Sequence, residues 1–357
     1  MIIFIVSFAV IGLMALYSQN KKTTLWICCS IMFFLLTLRS DTLGPDLVNY
    51  KGGYQYISSL SFDEILSRLN LLTTADLQYP YSYESGFALL MWIVSKIGLS
   101  FHGFLTIYAA FIVYSVGKWF DTYSEDPVFS CLLFITSSSF IYAFGILRQT
   151  IAMCILLWGT KYIHKRSIIK FLCVLLMAFL FHRASILLLV LYFLCDISIN
   201  QKIVYKFILY CIMFLVVSPY VYSGVVSRIL KYFGKNGYVI GSLKMNNMII
   251  LMIFTLLFIA FSYKDKYYNI ECNEQPNKIF LIAFFLSVPI EIMGMYNEVL
   301  SRAIHFVWIY LFLLLPNIIK KMNNYIICKI GVLAFAIMFQ VYCLSSSILV
   351  PYRFYWE

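Results

Sequence analysis

The chain has 357 residues, 62% of them hydrophobic and only 12% charged, with a formal net charge of +11 and a mean hydropathy of +0.86. A soluble domain is about half apolar and about a quarter charged. The composition therefore excludes a water-soluble globular enzyme, a nucleic-acid-binding domain and a disordered chain, and leaves an all-α polytopic membrane protein.

A crossing needs about 20 apolar residues, fewer where a helix is packed inside the protein. By that measure twelve crossings are predicted, near 2–19, 23–38, 102–119, 128–145, 148–163, 168–181, 183–197, 203–222, 247–262, 279–296, 304–319 and 326–346. The first reads as a retained helix, because no A-x-A-like cleavage site follows it. Residues 39–82 are the longest hydrophilic stretch and read as an external loop, with Asp41, Asp46, Asp63, Glu64 and Asp76 set against Arg39, Lys51 and Arg68. Next comes 84–99, apolar to Val94 but interrupted at Ser95-Lys96. If it crossed, Lys118 and every later Lys-rich loop would change sides, so it is read as a re-entrant or interface-lying helix on the outer side. A second external segment, 223–246, places Val226, Ile229, Leu230 and Phe233 at helical spacing, with Arg228, Lys231 and Lys235 on the other side. No internal repeat or linker divides the chain, which reads as one integral-membrane domain over 1–357.

The connections carry the orientation. Lys21, Lys22, Lys118, Lys161, Lys165, Arg166, Lys320, Lys321 and Lys329, with six further lysines, fall on one side, making 15 of the 27 basic residues. That side should be cytoplasmic. Seven of the eight arginines fall on the other. Topogenesis treats Lys and Arg alike, so it does not account for this sorting. Arginine differs in its planar fork of donors, which matches phosphate and carboxylate bidentately. The outward arginines therefore point to an anionic ligand, against the plainer reading that they anchor helix ends. The ten cysteines form no C-x-x-C pair and no Cys/His cluster, so neither a metal site nor a disulfide framework is expected.

Four constellations stand out. Arg39-Ser-Asp41-Thr-Leu-Gly44-Pro45-Asp46, followed by Tyr50, lies where the second crossing ends. Gly-Pro turns the chain tightly and holds Asp46 near the surface, either to handle a hydroxyl or to cap the next helix. Glu84 opens the re-entrant segment as a second carboxylate candidate, and a helix N-terminus alone would also explain it. Arg148-Gln149 begins an apolar helix on the outer side, an arrangement suited to anions. His182-Arg183 joins two short helices and would sit below the bilayer surface. Glu298, Arg302 and His305 follow at i, i+4 and i+7, with Glu291 buried upstream. Tyrosines from Tyr50 to Tyr83 crowd the external loop and suit either sugar stacking or interfacial anchoring.

In order along the chain, Arg39 with Gly44-Pro-Asp46-x-x-x-Tyr50, Glu84-Ser-Gly86-Phe87, Arg148-Gln149-x-x-Ala152, Ala178-x-x-Phe181-His182 and Ser301-Arg302 resembles the EpsG family, polymerases of O-antigen and exopolysaccharide of the Wzy type. Pro45 stands where a Thr or similar residue is expected. The resemblance implies a metal-independent, cofactor-free glycosyltransferase of the GT-C type in a bacterial inner membrane, with its site facing the periplasm. It implies a growing glycan on undecaprenyl diphosphate as donor and a repeat unit on undecaprenyl diphosphate as acceptor, with membrane lipids and a chain-length regulator as further candidate partners. On that reading His182, Asp46, Glu84 and Arg148 are the catalytic candidates. Arg39, Asp41, Tyr50, Gln149, Arg183, Glu298, Arg302 and His305 are the substrate-binding ones. A lipid-linked oligosaccharide flippase is the main alternative. It would expose charge along a path open to both sides, and the charge here is one-sided.

Overall fold

The computed structural model describes residues 1–357 except 45, 71–73, 198, 200, 229–276, 297, 321, 323, 346 and 348, and the side chains of 201 and 298–300. Among the described residues it is helical, with only isolated bridges in place of strands. Four helices are long and apolar enough to cross a membrane, Phe101–Tyr123, Lys202–Val226, Asn277–Gly294 and Tyr325–Ser345. A pair bent by 44°, Ser301–Trp308 with Leu311–Ile319, makes a fifth. The crossing expected at 247–262, Cys272 and most of the amphipathic segment at 223–246 lie outside the described residues; Arg228 ends the described part.

The chain falls into two compact units, 1–186 with 315–357, and 187–314. In the first, α1 (Ile2–Tyr17) and α2 (Lys21–Thr37) are followed by α3 (Leu47–Ser59) and α4 (Phe62–Arg68). These two short helices, of 13 and 7 residues, occupy the first part of the expected external loop. Gly52 and Gly53 weaken α3 as a helix but leave room for Tyr81 and Tyr83 to pack directly on it. A Cβ at those positions would stand 2.7 and 2.2 Å from the two phenol oxygens. α4 starts on a full capping box, Ser61 with Glu64. Then come α5 (Ser85–Lys96), in the segment read as re-entrant, and α6 (Phe101–Tyr123).

The crossing expected at 128–145 is broken into α7 (Pro127–Ile135) and α8 (Ser138–Tyr142). Thr136 and Ser137 turn their hydroxyls back onto the carbonyls of Leu132 and Phe134, at 2.7 and 2.6 Å, and end α7 there. α9 (Leu147–His164) and α10 (Ile168–Phe179) complete the bundle. Within it α2 packs on α6, α6 on α9, and α9 on α10.

A 3₁₀ turn, Arg183–Leu187, leads into the second unit. That unit holds α11 (Leu188–Leu194), α12 (Gln201–Val221), α13 (Asn277–Gly294), α14 (Glu298–Ala303) and α15 (His305–Trp308). α12 carries Pro219 and runs on into a π turn, Tyr222–Val226, as expected where proline removes a backbone donor. α13 and α14 approach so closely that a Cβ on Gly294 would lie 2.8 Å from the Ser301 backbone. α16 (Leu311–Ile319) then leads back to the first unit and α17 (Tyr325–Ser345).

One lysine counted toward orientation does something else. Lys329 is buried in the first turns of α17. Its Nζ lies 2.5 Å from Asp126 Oδ2 and 2.5 Å from the Ala15 carbonyl, and the Tyr325 hydroxyl also donates to Asp126. It ties α17 to α1 and α7 rather than facing headgroups.

Candidate functional site

The first unit brings three of the sequence-selected residues together. Arg148, in the first turn of α9, puts Nη1 2.5 Å from Glu84 Oε2 and 3.1 Å from the Ser82 carbonyl. His182, just past α10, puts Nδ1 3.2 Å from the other carboxylate oxygen. Glu84 thus bridges a guanidinium and an imidazole, one oxygen to each.

The reason is local. Gly86 donates its N–H to the Leu180 carbonyl at 2.9 Å. A Cβ there would come within 2.7 Å of that same oxygen. The glycine lets the start of α5 lie directly against the end of α10, which sets Glu84 beside His182. Ser85 holds the other side by exchanging hydrogen bonds with the Asn70 backbone at 2.7 and 2.8 Å.

Burial and charge oppose each other at Glu84, whose side chain is 9% exposed. Burial works to raise its pKa, but the His182 contact and the Arg148 charge outweigh it and hold the carboxyl down at about 2. It is a carboxylate at any ordinary pH. Arg148 and His182 remain 26% exposed, so each can also reach a ligand.

Tyrosines support the arginine from behind. Tyr50 accepts from Arg148 Nε at 3.2 Å, and the guanidinium sits 5.6 and 6.0 Å from the ring centroids of Tyr83 and Tyr50. Tyr83 donates to the Asn49 carbonyl at 2.9 Å and is fully buried. The stack continues through Tyr81 to Tyr56, with centroids 6.3 and 5.8 Å apart. Tyr50 and Tyr83 are therefore structural rings; the sugar-stacking reading is left to the more exposed Tyr56, Tyr79 and Tyr81.

The other nominated residues scatter. Asp46 stands at the N-cap of α3 with φ 64, and its side chain does not cap the helix. Asp41 pairs with Lys51 at 3.1 Å and lies 3.3 Å from His102 Nδ1, a histidine that sequence reasoning passed over. Arg39 is fully buried and donates to the Leu36 carbonyl at 2.7 Å. Its Nε and Nη2 have no hydrogen-bond partner among the described residues, and it lies 5.1 Å from the Phe144 ring centroid. It sits under the bridge that Phe354 makes to its own backbone and offers no fork to solvent. Gln149 is buried inside the bundle rather than adding donors beside Arg148. Arg183 opens the 3₁₀ turn with one donor, Nη2, unpartnered. Arg302 and buried His305 belong to the second unit, on either side of Ile304. The Glu298 side chain lies outside the description. Among the described residues no three His, Cys, Asp or Glu side chains converge as a metal site would require.

Apolar helices of spanning length define a helical membrane protein, and its first unit carries the compact charged cluster. The chain belongs to the EpsG family, whose sequence model matches residues 22–354. Membership points to a membrane protein of the polysaccharide-polymerase type with glycosyltransferase-like activity. No curated protein and no solved structure matches it.

Proposed function

We propose that this chain is an O-antigen or exopolysaccharide polymerase of the Wzy type, a GT-C-like enzyme of about twelve crossings in a bacterial inner membrane. It transfers a growing glycan from undecaprenyl diphosphate to a repeat unit on its own undecaprenyl diphosphate at the periplasmic face. The observation that carries the proposal is the Glu84 bridge between Arg148 and His182.

In this reaction the acceptor hydroxyl attacks the anomeric carbon of the donor and the lipid diphosphate leaves. The proton goes to a base on the protein, and the departing diphosphate takes up negative charge. Arg148 offers Nη2 to that charge, its Nε and Nη1 being held by Tyr50, Glu84 and Ser82, with two tyrosine rings behind the guanidinium. With Nδ1 turned to Glu84, proton exchange with the acceptor falls to Nε2 of His182. Glu84 is too weak a base for a sugar hydroxyl when held at about 2. Its part is to orient His182 and to stabilise the imidazolium that forms, in the way a carboxylate supports a catalytic histidine elsewhere. Asp46 and Asp41 are left to orient the acceptor sugar and Arg183 to meet a diphosphate, while Arg302 and His305 stand as anion-binding candidates within the second unit.

Cells carrying Arg148→Ala or His182→Ala are expected to keep single-repeat glycan on the lipid core and to lose long chains. Normal long chains in both would overturn the site. Loss even of the single repeat would turn the reading toward a flippase.

A further inference from the structure

The Glu84 cluster uses one end of α9, and α6 runs beside that helix. Lys118 lies 16 residues along α6 from His102, and Lys161 lies 13 residues along α9 from Arg148. At about 1.5 Å per residue these separations are ~24 and ~20 Å, most of a hydrocarbon core of about 30 Å. The two lysines therefore mark the opposite boundary.

Between them lies a cleft of about 110 Å³ lined by Ser115, Lys118, Thr122, Trp158 and Lys161, with Trp119 in its wall. The walls are fixed by indole donors. Trp158 Nε1 donates to Ser115 Oγ and Trp119 Nε1 to Thr160 Oγ1, both at 3.1 Å. The charges are less fixed. Lys118 is 45% exposed and reaches Asp121 at only 3.4 Å, the one carboxylate paired with either lysine among the described residues. Lys161 is exposed and lies 4.9 Å from its neighbour's ring, Tyr162.

Beside the cleft three rings from three helices stack in a row, Trp26 on Tyr114 on Trp158. Centroids are 6.0 Å apart at each step, and planes differ by 27° and 28°. Tyr114 is 53% and Trp158 37% exposed. Gly117 makes the row possible, since a Cβ there would lie 2.7 Å from Cys29 Sγ and 3.1 Å from the Trp26 ring.

We propose that this cleft binds the phosphodiester of an anionic phospholipid, with the acyl chains lying along the Trp26–Tyr114–Trp158 row. The volume suits one tetrahedral phosphate group, not a whole lipid. Two ammonium groups and the Ser115 hydroxyl supply donors, Thr122 spending its own on the Lys118 carbonyl at 2.8 Å, and the adjoining rings supply a flat apolar strip. A zwitterionic headgroup would bring its own cation against Lys118 and Lys161, so anionic lipid is selected. Rings serving only as interfacial anchors would need no polar cleft at their edge. The proposal does not depend on the polymerase assignment.

The test uses the purified full chain in mild detergent, with thermal unfolding and native mass spectrometry as readouts. Dioleoylphosphatidylglycerol, dioleoylphosphatidylcholine and inorganic phosphate are added separately. Phosphatidylglycerol is expected to raise Tm and to remain bound in the gas phase, while the other two do neither. Lys118→Gln with Lys161→Gln should weaken phosphatidylglycerol binding by roughly twenty-five-fold, each lysine near an anionic headgroup being worth about a factor of five. Lys118→Arg with Lys161→Arg should retain it, which separates lost charge from a damaged fold. Tyr114→Ala should weaken binding of the lipid with the lysines intact. Equal effects of the two lipids, full reproduction of the effect by inorganic phosphate, or unchanged binding in the glutamine variant would each overturn the proposal.

Discussion

Replacing Glu84 with Gln removes the charge that Arg148 and His182 share and leaves the shape nearly unchanged. A free glutamate titrates at 4.5 and the buried one at about 2. At about 1.4 kcal/mol per factor of ten, the difference corresponds to ~3 kcal/mol of folding stability. Because a quarter of the Arg148 side chain meets solvent and is screened, ~2 kcal/mol is the working figure. The sign follows from the depressed value. The stabilisation is fully present above pH 4.5 and is lost as pH falls through 4.5 toward 2. Unfolding of the purified chain in mild detergent, followed from pH 7 down to 2, should show the Gln variant less stable by that amount at neutral pH. The wild type should then converge on it across the acid window. Two parallel curves over the whole range would refute the claim that Glu84 is held ionised by its partners.

Gly86→Ala should cost ~1–3 kcal/mol through overpacking against the Leu180 carbonyl, and should reproduce the short-chain glycan phenotype of His182→Ala although residue 86 carries no chemistry; wild-type chain lengths on gel electrophoresis would show that α5 need not lie so close. Asp126→Asn or Lys329→Met alone should lower stability by about 3–5 kcal/mol, because each leaves a buried charge without its partner, whereas the double variant should recover most of the loss. Simple additivity in that cycle, read by chemical unfolding, would mean that the two residues do not act as a pair.

Much of this architecture is legible in hydropathy. Outside 229–276, each predicted crossing overlaps helix. Among the described residues, however, only four helices, or five with the bent pair, are long and apolar enough to span, and 128–145, 183–197 and 304–319 are each broken. Hydropathy misses what polar atoms do inside those runs. Thr136 and Ser137 end α7 with their hydroxyls, and an averaging window reads straight through them. The site was legible as separate residues and not as an assembly. Arg148 and His182 announce themselves by a helix start and a short connection. Their shared partner lies 64 residues before Arg148 in the chain. What joins them is the absence of a side chain at Gly86, which no spacing rule reports. Tyr83, buried behind the guanidinium, was one tyrosine in a crowded loop. Lys329 shows the converse error. A lysine near the start of a helix looks like an orientation signal, and its partner Asp126 lies 203 residues away. Counting charges by side cannot tell an anchor from half of an ion pair.

That ion pair has a consequence for the order of assembly. α1 and α7 are synthesised early, with Lys21 of α2 already near Asp126, but the buried ammonium that contacts its carboxylate arrives only with α17, after residues 187–314 have been made. Until then Asp126 has the partly exposed Lys21 as its counter-charge but lacks the buried partner of its final packing. The nascent first unit is therefore an open form that the last long helix closes, and a ribosome paused before residue 325 would hold a bundle lacking its clasp. Late closure of this kind lets the intervening segment enter the membrane before the early helices commit to their final packing.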